Sequence, residues 1–443
     1  MGQDRHQLTL GFGLSLGAIL LAWSVLPFAQ QVTKQGSGSV NLRMSDSLGS
    51  ANQGARKQSQ SNKSKTRSKR SPRASGAKGV TLELSAGLLS DDNVFRTTTN
   101  EQRDVILELK PKFYLDGKLG KHSFRLGYEG EAGRYQGFKG ENYFDNKILS
   151  AMKFDLDRRL KANIKSSLEY GHDQRGDIAN RSTISPNPDR WHKHELGGDI
   201  VLGRRIAKAQ IGLAYNLSGI RYMNNEQEGR DFDDRTLRLF GRYNLTPKYA
   251  LLGDVSETWS DYLDPSSNQS AKEYTGLIGL AWEATAKTSG EVKFGLRHRD
   301  FYTQGLPSTT GFAWDAKILW SPKSFSKVTA YTSRMVSPSA RQGSSGLTST
   351  DTYGLKWSHK LTKNLRFNTG LQHSQVEISE SLKNRLFNFD VGFRYRMNRW
   401  MDLKANWNYA SLSASDGRTD YQANSIFIGF DAKLSRRLSQ VKE

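Results

Sequence analysis

The chain of 443 residues contains no cysteine. That excludes disulfides, thiolate metal sites and a cysteine nucleophile, and suits a scaffold that is stable without covalent crosslinks. Long apolar runs are nearly as scarce. "LTLGFGLSLGAILLAWSVLPFAQ", ending at Gln30, is the single one, and it reads as an export signal over residues 1–29, with an uncleaved inner-membrane anchor as the alternative. The "GFGLSLG" inside it lacks the flanking strand and helix that a nucleotide-binding glycine pattern requires. Helical periodicity is missing too: from Gly79 onward no stretch carries a convincing one. Length alone would suggest two or three soluble domains, but no soluble core is evident in the pattern.

Acidic residues are absent from Arg56 to Lys78, where nine cations stand instead: Arg56, Lys57, Lys63, Lys65, Arg67, Lys69, Arg70, Arg73 and Lys78. They supply nine of the net charge of +21. Residues 30–78, rich in Ser, Gly, Lys and Arg, have almost nothing to bury and read as a disordered basic linker. Nucleic acid is an unsuitable partner for an exported chain, so a solvated segment or one touching anionic lipid or polymer is the expectation.

A catalytic set is also lacking. Of the eight histidines, His6 lies in the signal, and His359 and His373 fall on a face expected to meet lipid. His192 and His194 flank Lys193 without an evident third metal ligand. No Ser, His and acid combination stands out by spacing. No catalytic residue, metal or cofactor is therefore expected, and the chain does not read as an enzyme.

What the chain does have is alternation. In "VILELKPKFYLDGKLGKHSFRLGYEGEAGRY" Val105, Leu107, Leu109, Phe113 and Leu115 share one face, while Glu108, Lys110 and Lys112 take the other; beyond "DGKLGK", Phe124, Leu126 and Tyr128 oppose Arg125, Glu129 and Glu131. A period of two on either side of a short turn is a β-hairpin. About eighteen such runs follow one another, each close to the ~9–11 residues needed to cross a bilayer as a tilted strand. The connections alternate strictly: eight short ones, such as "DGKLGK", "GRRIAK" and "SPKSFS", and nine long polar ones, such as "SDDNVFRTTTNEQR" and "GHDQRGDIANRSTISPNPDR". An even strand number with both ends on the short-turn side is the topology of an outer-membrane barrel with periplasmic turns and extracellular loops. A soluble sandwich or propeller is the competing fold, but its loops need not alternate.

The expectation is thus an all-β, transmembrane antiparallel β-barrel of about eighteen strands over residues 79–434, followed by a basic tail at 435–443. Aromatics such as Phe154, Tyr170, Tyr249, Trp282, Trp320, Trp357, Tyr395 and Trp407 are expected at the lipid interfaces. In a closed barrel the charges between the apolar residues face a wet lumen. That register points Lys110, Arg125, Lys165, Arg238, Arg242, Lys293, Arg297, Arg299, Arg394 and Arg396 inward, with Lys112, Lys153, Lys161, Lys317, Lys356, Arg366 and Lys404. Opposing acids include Glu83, Glu108, Glu129, Glu131, Glu169, Asp199, Asp254, Asp315 and Asp390. Such a wall could draw anions and guide an acidic chain, or its charges could simply pair across strands. The longest loop, Gly171 to Arg190, is the candidate for folding inward. The acidic loop "NNEQEGRDFDD" lacks the spacing of a calcium loop and reads as solvated, the alternative being calcium held against lipopolysaccharide.

"SDDNVFRT", Ser90 to Thr97, resembles the signature near the start of a family of outer-membrane β-barrel porins encoded with exopolysaccharide or capsule biosynthesis genes. Asp91, Asp92, Asn93, Phe95 and Arg96 carry the match. The resemblance implies an outer-membrane channel tied to the export of an exopolysaccharide, read here as an anionic one, in contact with outer-membrane lipid, lipopolysaccharide and periplasmic export components. A porin for small anions is the alternative, and a barrel enzyme acting on lipid or polysaccharide the third. The motif also has a structural reading, since Asp and Asn cap the turn that leaves a strand.

Overall fold

The computed structural model describes residues 79–176, 187–283, 285, 287–337, 348–377, 383–415 and 420–437. The expected signal at 1–29, the linker at 30–78 and the last part of the tail, residues 438–443, lie outside the described residues.

Eighteen strands form one antiparallel sheet. They are β1 (Gly79–Asp91), β2 (Asp104–Leu119), β3 (His122–Tyr135), β4 (Tyr143–Asp155), β5 (Leu160–His172), β6 (Arg190–Leu202), β7 (Ala209–Tyr222), β8 (Phe232–Asn244) and β9 (Tyr249–Tyr262). The second half comprises β10 (Ala271–Trp282), β11 (Thr288–Phe301), β12 (Thr309–Lys323), β13 (Ser326–Ser337), β14 (Thr348–Lys360), β15 (Leu365–Glu377), β16 (Lys383–Arg396), β17 (Met401–Ser413) and β18 (Tyr421–Arg437). Each pairs with its neighbours in sequence, and β1 pairs with β18 from Gly79↔Arg437 to Asp91↔Ser425, which closes the sheet. At ~3.3 Å per residue and a tilt of ~40°, a strand of 13 residues such as β1 rises about 33 Å, enough to cross an apolar band about 25 Å tall. Closure leaves no unpaired edge, which hydrocarbon would not tolerate.

The two ends differ as the loop pattern requires. Residues 120–121 join β2 to β3, with Gly120 at φ +59 in the turn, whereas residues 173–189 separate β5 from β6. Two details depart from the sequence reading. The connection read as "SPKSFS" shrinks to residues 324–325, because β12 continues through an irregularity between Trp320 and Lys323, around Pro322. The closing strand also runs past Leu434: Ser435 and Arg436 pair with Thr81 and Val80. Where Pro111 lacks an N–H, the β2–β3 ladder lapses at Lys110 and Pro111 and resumes in the same register at Lys112↔Glu129.

The apolar face is outside. Val255 (61% exposed), Ile278 (63%), Phe312 (69%) and Ile428 (64%) are bare to the surroundings, as only a lipid-facing side chain is allowed to be. A row of aromatics borders the short-turn end: Tyr249 lies opposite Trp282, and Trp320 and Trp357 both flank Val328. Trp407 does not join it. It sits mid-strand between Val391 and Ile426, because the aromatic pattern in sequence carries no depth information until strand ends are known. His359 and His373 share the outer face with Trp357 and Tyr353.

Candidate functional site

The residues alternating with the lipid-facing set line the lumen, and their charges are sorted unevenly around the wall. On β2 and β3, Lys110 Nζ lies 2.9 Å from Glu108 and 2.7 Å from Glu131, and Arg125 grips Asp116 through Nε and Nη2 at 2.7 and 2.9 Å. On β8 to β11, Arg238 is clamped on Asp254, whose carboxylate is 3.7 Å from Lys293. Glu273 is shared by Arg297 at 3.2 Å and Arg299 at 3.7 Å. The four cations are nearly inaccessible: Arg238 is 6%, Lys293 4%, Arg297 8% and Arg299 3% exposed. On β16 to β18, Arg394 reaches Asp431 at 3.0 Å and Asp402 at 3.9 Å, Arg396 reaches Asp402 at 3.6 Å, and Lys404 Nζ is 2.6 Å from Asp431. Arg242 Nε donates to the Asn244 side-chain oxygen at 3.0 Å. Lys165 has no ion-pair partner among the described residues and is exposed.

The wall from β12 to β15 differs. Lys317, Lys327, Lys356 and Lys360 are exposed on the inner face, Arg366 is half-buried there, and none has a carboxylate within ion-pair distance among the described residues. Asp315 and Asp390 are the acids nearby, on the same inner register. Lys327 and Lys360 were not singled out from sequence, although the period-two pattern would have placed Lys327 once the short turn was limited to two residues.

At the long-loop end, the loops that follow β1, β3, β5 and β7 are tied to one another and to β18. The "SDDNVFRT" stretch leaves β1 as a clasp. Arg96, with φ +57, holds Asp91 through both terminal nitrogens at 2.7 Å. Asn93, 0% exposed, donates its amide to the carbonyls of Thr97 (2.7 Å) and Gln422 (2.8 Å) and accepts from Thr97 N at 3.0 Å. Asp92 accepts from Asn424 N and Nδ2 at 2.7 and 2.9 Å. Asp91, Asp92, Asn93 and Arg96 thereby staple the first loop to β18, across the seam where the chain ends meet. Burial alone would lower the Arg96 pKa, but the hydrogen bonds and charge of Asp91 hold it above the ordinary arginine value.

Phe95 packs edge-on against Phe138 at 4.8 Å, and the Arg175 guanidinium lies over its ring. Arg175 forms a forked pair with Glu141 at 2.8 and 3.3 Å, and the Tyr421 hydroxyl donates to the Gly176 carbonyl at 2.9 Å. The β5–β6 loop therefore reaches β18, which is separated from β5 by four strands of the closed sheet. Behind it Arg230 binds Asp173 at 2.8 Å and Asp189 at 3.3 Å, with its guanidinium 4.0 Å above the Tyr222 ring. Burial by itself would lower the Arg230 pKa; Tyr222 and Asp173 more than offset this and raise it.

The acids of "NNEQEGRDFDD" disperse to separate partners: Asp231 accepts from Tyr222 N at 2.7 Å, and Asp233 pairs with Arg221 at 2.6 Å. Burial raises the Asp231 pKa. Among the described residues no group of three or more His, Asp or Glu side chains is arranged to hold a metal. The network of Arg175, Glu141, Asp173, Asp189 and Arg230 had no sequence signal, because its members come from separate loops.

A closed eighteen-strand barrel with an apolar outside, a charged wet inside and looped mouth defines an outer-membrane channel-type barrel, located in the bacterial outer membrane. The chain belongs to the family described as Putative beta-barrel porin 2, whose model matches residues 80–434. No curated protein matches it. Among solved structures it is similar to Acinetobacter baumannii OccAB3, with 12% identity, a TM-score of 0.46, and coverage of 81% of this chain and 99% of that one. Pseudomonas aeruginosa OpdO gives 13% identity and a TM-score of 0.47, covering 81% and 97%. The FrpB iron transporter of Neisseria meningitidis gives 8% and 0.44, covering 81% of each chain.

Proposed function

We propose that the protein is a porin for small anionic solutes and performs no catalysis. The observation that carries this reading is the exposed Lys317, Lys327 and Lys356 on the β12–β14 side of the lumen, none with a carboxylate within ion-pair distance among the described residues, flanked by β8–β11 and β16–β18, whose cations are mostly ion-paired. Paired charges build the barrel; unpaired ones set a positive potential that concentrates anions and repels cations. Lys165 adds an exposed cation on β5, whereas Lys110, Arg125, Arg238, Lys293, Arg297, Arg299, Arg394 and Arg396 act mainly in the wall's own ion pairs, with Arg242 held by Asn244.

Export of an anionic exopolysaccharide with periplasmic export components has less support. At the mouth the residues that follow β5 are tied to β18 through Gly176 and Tyr421, an arrangement that favours small solutes over a bulky polymer. The surroundings proposed for the barrel are outer-membrane lipid and lipopolysaccharide.

The test is the reversal potential of single channels under a potassium chloride gradient. The wild-type barrel is expected to prefer chloride, and Lys317→Glu/Lys327→Glu/Lys356→Glu to abolish or invert that preference. An unchanged reversal potential in the triple variant would sink the reading.

A further inference from the structure

At the short-turn end of the lumen, Lys360, Lys363, Arg366, Arg394 and Arg396 line one recess together with Thr362, Asn364, Leu365 and Asp402. Five cations face one carboxylate there. The backbone register makes the crowding specific: Lys360 lies opposite Arg366, Arg366 opposite Arg394, and Arg394 opposite Lys404, so four successive strands each place a cation in the same inward row. Like charges directly opposite one another destabilise a sheet.

The available acids do not relieve this evenly. Asp431 is taken by Arg394 and Lys404, and Asp402 by Arg394 and Arg396. Lys360, Lys363 and Arg366 have no carboxylate partner among the described residues. The turn supplies few donors of its own, because the N–H groups of Asn364 and Leu365 are satisfied by Thr362 Oγ1 at 3.2 and 2.9 Å. Recognition must come from the side chains.

We infer that this recess is an oxyanion-binding site at the periplasmic mouth, taking a doubly charged oxyanion group, either free phosphate or the phosphate of a monoester. A guanidinium fork such as that of Arg366 matches two oxygens of such a group at once, while the two lysines add point charges without geometric demand. Chloride offers no pair of acceptor atoms and is the poorer ligand. The site goes beyond the selectivity reading, since binding at one end of the lumen requires no current.

The experiment uses the folded full-length barrel in detergent micelles and reads phosphorus NMR line broadening of inorganic phosphate and, separately, of glycerol phosphate at fixed ionic strength. The expected result is broadening by the wild type that falls several-fold in Lys363→Glu/Arg366→Glu and persists in Lys317→Glu/Lys356→Glu, which leaves the recess intact. Broadening by both probes assigns the site to the phosphate group itself; broadening by inorganic phosphate alone restricts it to the free ion. Loss in both variants alike, or in neither, overturns the site. A gel shift on heating verifies that each variant is folded, and Lys363→Gln/Arg366→Gln replaces the double Glu variant if it is not. Persistent site-specific broadening in a channel without chloride preference would keep this site and refute the preceding reading.

Discussion

Asn93 shows how one side chain can hold a seam. It is fully buried, and its amide serves the first loop and β18 at once. Truncation in Asn93→Ala leaves Thr97 N and two carbonyls without this partner, which costs about 1–3 kcal/mol when such groups stay buried. The expected outcome is a lower temperature of barrel collapse on a heat-modifiability gel; an unchanged transition would mean that the clasp contributes nothing to closure. The two faces of a strand make a second residue-scale test. Val255 stands mid-strand on the lipid side, where arginine costs about 2–4 kcal/mol near the bilayer midplane. Val255→Arg is therefore expected to impair assembly or lower the unfolding midpoint, while Asn408→Arg, mid-strand on the inner register opposite Asp390, is tolerated. Equal behaviour of the pair would contradict the assigned faces.

At the scale of elements, the β5–β6 loop is held by contacts that strand pairing does not need. Gly176 sits at φ +78, and a Cβ there would come within 2.7 Å of Arg96 Cγ and 2.8 Å of the Tyr421 ring. A non-glycine residue in this conformation costs roughly 1–2 kcal/mol before any clash. Gly176→Val is expected to lift the loop from β18 and raise single-channel conductance with little change in the collapse temperature. Conductance identical to wild type would show that this arm does not narrow the path. The Gly176 arm is thus expected to be separable from the strand ladders and from the Asn93 clasp, which hold the barrel closed.

For the whole molecule, uncompensated cations on one wall act through their field, and salt controls the reach of that field. The screening length is about 30 Å at 0.01 M salt and about 3 Å at 1 M. Anion preference should accordingly be strong in dilute salt and fade toward 1 M, read as reversal potentials at a constant concentration ratio. Preference independent of salt would point to a narrow binding contact instead of a charged wall.

Strand number, the inward register and the outer-membrane topology were legible in the sequence, because a period of two and alternating loop lengths are local properties that each hairpin carries by itself. Leu107 and Lys110 face opposite sides whatever strand lies beside them. Which cations remain free was not legible. Arg238 is neutralised by Asp254 and Lys356 is not, and that depends on which residues register and closure bring alongside. The clasp of "SDDNVFRT" on β18, more than 300 residues away in the chain, and the loop meeting at Gly176 were likewise decided only by tertiary structure, since closing a ring makes neighbours of segments that share no local sequence signal.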